Sequence, residues 1–125
     1  MAMQKFTTTE TAWCPGCGNF NILETLAGVL ENLQLAPKDV LLVGGIGQAA
    51  TLNQYLSANG FSGLHVRPLP AAVAAKMANQ ALTLVVNTGH GDDYGPGGNP
   101  LCHHIPRNNA ITHFVPVNLL YAPAQ

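Results

Sequence analysis

The sequence predicts an α/β fold built on a parallel sheet, and three features carry that expectation. Two continuous apolar runs, Val40-Leu41-Leu42-Val43 and Ala81 to Val86, each lead into glycine-rich turns, which is the pattern of buried parallel strands. Between them lies a stretch with helical character. Upstream, apolar residues at 22, 23, 26, 29, 30 and 33 recur at the helical period. Strand, helix and strand in this order imply parallel pairing through a right-handed crossover.

Each element follows from local chemistry. The helical period predicts a helix over 20–34, with Asn19 as its candidate cap and Ala36-Pro37 as its stop. Residues 40–43 form the first strand, and Gly44-Gly45-Ile46-Gly47 its turn. Gln48 to Ala58 reads as a helix that runs to an Asn59-Gly60 turn, and Leu64-His65-Val66 as a brief strand. The alanine-rich stretch Ala71 to Ala78 is a helix that lets another element approach closely, and 81–86 is the second strand. Beyond residue 98, Pro100, Pro106 and Pro116 interrupt a helix over 101–108 and a strand over 110–117. An interior proline costs a helix about 3 kcal/mol and a strand one ladder donor, so this third conflicts with its own apolar pattern.

Length and composition narrow the function. A chain of 125 residues allows one domain, here a cysteine-containing segment at 1–20 and an α/β core at 21–125. It is 47% hydrophobic and 9% charged, with a net charge of −1, which is far from the signature of disorder. Nothing in that balance favours binding to nucleic acid or an anionic membrane. So few charges predict that much of the surface faces a partner subunit or further parts of a chain. Residues 1–9 hold one lysine and no long apolar run, so a cytoplasmic location is expected, with neither signal peptide nor membrane span.

Two regions carry chemistry. Cys14-Pro15-Gly16-Cys17 spaces two thiolates to chelate one metal or cluster iron, or to act as a dithiol pair, or to do neither. Cys102 and the histidines at 65, 90, 103, 104 and 113 are further donors, but none stands at a zinc-finger spacing from the first pair. The turn at 43–47 and the glycine-rich segment 88–98 fall where a parallel sheet binds ligands, outside the carboxyl ends of its strands. Neither is a dinucleotide fingerprint nor a nucleotide-triphosphate loop. Asp92, Asp93 and Asn99 offer hard oxygens of the kind that Mg²⁺ holding a diphosphate requires, or form a plain polar loop.

The blocks Thr11-Ala12-Trp13-Cys14-Pro15-Gly16-Cys17-Gly18-Asn19, Gly45-Ile46-Gly47-Gln48-Ala49, Asn59-Gly60-Phe61 with Leu64-His65, and Gly89-x-Gly91-Asp92 with Gly95, Gly98 and Asn99 resemble, in order, successive blocks of one family. They are similar to the N-terminal portion of the beta subunits of 2-oxoacid:ferredoxin oxidoreductases, over about residues 10–121. The resemblance implies a truncated version of the three-layer parallel sheet of the thiamine diphosphate-binding fold. It implies oxidative decarboxylation of a 2-oxoacid with coenzyme A, with electrons passing through a 4Fe-4S cluster to ferredoxin and an alpha subunit completing the site. By position, Cys14 and Cys17 match two cluster ligands, and Gln48 stands where many relatives have a third cysteine. Ile46, Gly47, Gln48, His65, Gly91, Asp92, Asn99 and Asn118 match cofactor-binding positions. Asp92, Asn118 and the carbonyl of Leu120 match the Mg²⁺ site.

The departures from the family pattern matter as much. His90 replaces a magnesium carboxylate with imidazole, a poorer ligand for a hard cation. Val66 stands where the family has glycine, and Pro96, Pro100 and Pro106 replace other residues. His103 matches a family histidine, Arg107 one arginine of a pair, and Trp13 is expected to shield the cluster turn. Weakened anchoring of the diphosphate is therefore expected. Two other roles stay open: a non-catalytic piece that binds a partner subunit, and a small zinc module using Cys14 and Cys17 with His103 or His104.

Overall fold

The computed structural model describes residues 6–118. Four parallel strands form one sheet in the order β2-β1-β3-β4: β1 Val40–Gly44, β2 Asn59–Ser62, β3 Thr83–Asn87 and β4 Ile111–Phe114. The α/β class and the parallel pairing are as the apolar runs predict.

Alternation along the central strands builds two cores. Val40 and Leu42 of β1, with Val85 of β3, face helix α1 (Asn19–Asn32) and pack on Leu23, Leu26 and Leu30. Helix α2 (Leu52–Tyr55) closes that side with Leu52, joined by the nearby Leu56 and Trp13. On the opposite face, Val43, Leu84 and Val86 pack on Leu69 and Ala72 of α3 (Pro68–Ala78), bordered by Leu101 and Ile111. Two helical layers therefore sandwich one sheet. Ala72 is fully buried, which is the close approach that the alanine-rich stretch predicts.

Several boundaries differ from expectation for physical reasons. Asn19 is not the cap of α1; Gly18 holds that place and makes no side-chain cap bond, while Asn19 Nδ2 donates across to the Gln48 carbonyl at 3.4 Å. The predicted helix over 48–58 breaks into a 3₁₀ turn (Gln48–Thr51) and the single turn α2, ended by Leu56 in extended conformation bridging to Thr8. Asn59-Gly60 is not a turn but the start of β2, an edge strand exposed at all four residues and therefore without an apolar pattern. Residues 64–66 are not a strand. They form a turn in which Val66 adopts φ +67°, and α3 begins at once behind it.

The proline-rich third is consistent after all. Pro100 lies in the first turn of α5 (Gly98–His104), where the N–H is not needed. Pro106 sits in a short 3₁₀ turn (Ile105–Arg107), and β4 ends before Pro116. Asn108 then reverses the chain at φ +46°, a left-handed conformation that asparagine tolerates.

Candidate functional site

The connections define where the site must be. From β1 the chain moves to β2 on one side, then crosses to β3 on the other, so the order reverses between β1 and β3. In open parallel sheets ligands bind at such a switch point, outside the carboxyl ends. Two loops meet there: Gly45-Ile46-Gly47-Gln48 after β1, and Thr88-Gly89 leading into helix α4 (His90–Tyr94) after β3.

Asp92, in α4, is the hub. Its carboxylate is buried; Oδ1 accepts the Val66 N–H at 3.1 Å and lies 2.9 Å from His65 Nδ1. Oδ2 has no partner and is sealed from solvent. A β-carbon at Gly45 would collide with that oxygen, so only glycine lets the β1 loop lie against Asp92. One carboxylate thus joins the loop after β1, the turn after β2 and the helix after β3.

A second polar cluster lies beneath. Thr88 donates its hydroxyl to Asp93 Oδ2, and His113 Nε2 of β4 stands 2.9 Å from that oxygen and 2.8 Å from the hydroxyl. The Asp93 and His113 side chains are 8% and 11% exposed, so the pair is shielded from bulk water. Asn87, at the end of β3, donates to the Ala49 carbonyl and ties the two loops together. His104, on α5, has its imidazole pKa held below the ordinary value, by burial first and by the charge of His113 second.

The cysteine turn is anchored to the same loop. Cys17 N–H donates to the Cys14 carbonyl at 3.1 Å, and Gly16 adopts φ +79°, as a tight turn after Pro15 requires. Cys14 is exposed, and Cys17 is half-buried against the core that holds Trp13. Trp13 is buried, stacked edge-on against Phe20 and Tyr55 with centroids at 5.4 and 4.9 Å. Its Nε1 donates to the Gln48 carbonyl at 2.9 Å and to Thr51 Oγ1 at 3.1 Å.

Of the residues singled out from sequence, the fold brings Ile46, Gly47, Gln48, His65, Gly91 and Asp92 to one end of the sheet. Asn99 is exposed on α5, and Asn118 is exposed after β4. His103 and Arg107 are exposed as well. Leu120 lies outside the described residues. Among the described residues no three of His, Cys, Asp or Glu come close enough to hold a metal ion, so the zinc arrangement of Cys14 and Cys17 with His103 or His104 is not formed. No helix among the described residues is long and apolar enough to cross a membrane. Sequence reading missed Thr88, Asn87 and the partnership of Asp93 with His113. The one available signal was a histidine at an inward position of β4, whose burial alternates.

Comparison with known proteins supports the architecture. No family model matches the chain. It is 37% identical over 109 residues to 2-oxoacid:ferredoxin oxidoreductase 2, subunit beta, of Aeropyrum pernix, covering 87% of this chain and 35% of that one. To the corresponding beta subunit of Saccharolobus solfataricus it is 40% identical over 111 residues, covering 87% and 36%. To 2-oxoglutarate oxidoreductase subunit KorB of Mycobacterium tuberculosis it is 36% identical over 112 residues, covering 90% and 30%. The chain thus spans about a third of the length of these relatives. A 2-oxoglutarate:ferredoxin oxidoreductase from Magnetococcus marinus, solved with 2-oxoglutarate, coenzyme A and succinyl-CoA bound, superimposes with a TM-score of 0.92 at 27% identity, over 97% of this chain and 43% of the other. In sequence and in fold, the chain is similar to the beta subunits of 2-oxoacid:ferredoxin oxidoreductases over the part of the subunit that it spans.

Proposed function

We propose that the chain supplies the thiamine diphosphate-facing part of a beta subunit, within an assembly that oxidatively decarboxylates a 2-oxoacid to an acyl-coenzyme A and reduces ferredoxin. The observation that carries this reading is the switch point of the sheet, where the loop 45–48 and the segment 88–92 meet at the carboxyl ends of β1 and β3. In the proposed assembly an alpha subunit completes the site, and Cys14 and Cys17 give two thiolates to a 4Fe-4S cluster. The cysteine turn fits that role: it is tight, exposes Cys14 and is fixed to the loop after β1 through Trp13.

The magnesium part does not fit Asp92. Its Oδ1 is engaged by the Val66 N–H and by His65 Nδ1 and its Oδ2 is enclosed, whereas Mg²⁺ demands open octahedral geometry and keeps several waters. What the residues do is positional: Gly45 admits the carboxylate, and Asn87 fixes the loop.

Titration calorimetry of thiamine diphosphate into the folded chain tests the proposal. Saturable heat is expected, with little gain from added Mg²⁺. A folded chain that takes up no cofactor refutes it. That result favours a second reading, a piece that only binds a partner subunit through the apolar groove of about 380 Å³ between α1 and Phe114-Val115-Pro116. Iron and acid-labile sulfide after anaerobic reconstitution test the cysteine pair separately.

A further inference from the structure

We propose that Asp92 is a positioning residue that forms a dyad with His65, fixing the imidazole so that Nε2 faces outward as a proton acceptor at the carboxyl end of the sheet. Four observations converge on it. His65 Nδ1 lies 2.9 Å from Asp92 Oδ1, within ordinary hydrogen-bond range. The same oxygen accepts the Val66 N–H at 3.1 Å, so it is an acceptor in this arrangement, and any carboxyl proton would sit on Oδ2. Nδ1 must therefore be the donor, which leaves Nε2 without its proton in the neutral ring. The Asp92 side chain is 3% exposed and that of His65 55%, so the orienting end is buried and the accepting end reaches solvent.

The local structure is bent to make this contact. Val66 is β-branched and sits at φ +67°, a conformation that costs about 1–2 kcal/mol for an L-residue. That conformation aims the Val66 N–H at Asp92 beside the imidazole. Gly45 lies against the far oxygen where any side chain would displace it. The carboxylate is thus held from three segments, and its remaining freedom is small. A buried carboxylate holding one ring nitrogen sets both the tautomer and the orientation of a histidine.

This arrangement also accounts for why Asp92 does not suit a metal: the oxygen that a cation would use orients the imidazole instead. That Nε2 exchanges a proton with a bound cofactor or substrate rests on the function proposed above. The dyad itself does not.

Tautomers are read directly from two-bond proton–nitrogen correlations of the chain labelled with ¹⁵N-histidine, in alkaline buffer. The sequence has five histidines, and His65→Gln assigns the signal of interest. Nδ1–H is expected as the dominant form at His65, although the Nε2–H form prevails in free imidazoles. Asp92→Leu should reduce Nδ1–H to the minority form. Asp92→Asn retains an accepting oxygen, and should keep Nδ1–H dominant even where the leucine variant fails to fold. Dominant Nε2–H at His65 in the unaltered chain overturns the proposal, as does Nδ1–H surviving in a folded leucine variant. Selective, saturable broadening of the His65 signals by Mn²⁺ that is present in the unaltered chain and lost in Asp92→Asn would also overturn it, since that variant keeps the Nε2 lone pair and removes only the carboxylate. All three readouts are taken without thiamine diphosphate, so failure of the dyad and failure of the cofactor proposal are distinguishable.

Discussion

Replacing Asp93 by leucine removes the carboxylate that pairs with His113 and accepts the Thr88 hydroxyl. Both partners stay behind in the protein: Thr88 is 1% exposed and the His113 side chain 11%. Breaking one side of a buried pair costs about 3–5 kcal/mol, because the remaining polar groups have lost water and gained nothing. That is about a fifth or more of the roughly 5–15 kcal/mol that holds a typical domain folded. The three groups lie between β3, α4 and β4, where apolar side chains of similar volume can pack. The triple variant Thr88→Val, Asp93→Leu, His113→Val should therefore recover stability to within about 1 kcal/mol of the original or exceed it. Urea unfolding followed by far-ultraviolet circular dichroism measures both. The reasoning is refuted if the single variant loses less than about 1 kcal/mol and the three changes add independently, since contacting residues in one network should couple by about 0.5–3 kcal/mol.

Val66→Gly should raise stability by about 1 kcal/mol, the relief of left-handed strain less the added freedom of the unfolded chain, measured as a shift of the urea midpoint. Gly45→Ala drives a β-carbon into Asp92 Oδ2 and should lose about 1–3 kcal/mol, together with the Nδ1–H signature of His65. Trp13→Phe deletes the donor to Gln48 and Thr51 but leaves the Gln48 carbonyl bonded by the Thr51 hydroxyl at 2.8 Å, so about 1–2 kcal/mol is expected from the same assay. The lowered pKa of His104 means that the unfolded chain binds the extra proton first. Its contribution to stability is complete above the unfolded value of 6.5 and is lost as pH falls through 6.5 toward the folded value. His104→Gln should flatten the dependence of the urea midpoint on pH in that window.

What was legible in the sequence follows what each segment buries. The strands at 40–44 and 83–87 are enclosed on both faces, so their apolar runs are unbroken, and α1 keeps its period because one stripe meets the sheet. Strand β2 buries nothing and begins with a dipeptide that usually makes turns, so pattern alone could not reveal it. The turn at 64–66 is held by Asp92, some 27 residues onward, and no local rule contains that bond. The prolines of the last third look disruptive in a list of residues and harmless once helix starts are placed. At the site, glycine spacing located the two loops. The pairings of His65 with Asp92 and of His113 with Asp93 depend on which strands become neighbours, which is a property of the finished sheet.

Trp13 is the sole indole of the chain, wedged between two other rings with its N–H anchored to the Gln48 carbonyl. The molecule therefore carries its own optical gauge. Excited at the red edge, where tyrosine is silent, it emits from a position one residue away from the first thiol and one hydrogen bond away from the loop after β1. If the cysteine turn takes up a cluster as proposed, that emission should darken by energy transfer, and a ligand pressing on the loop should shift its colour. Both events become visible in real time, without a label and without turnover.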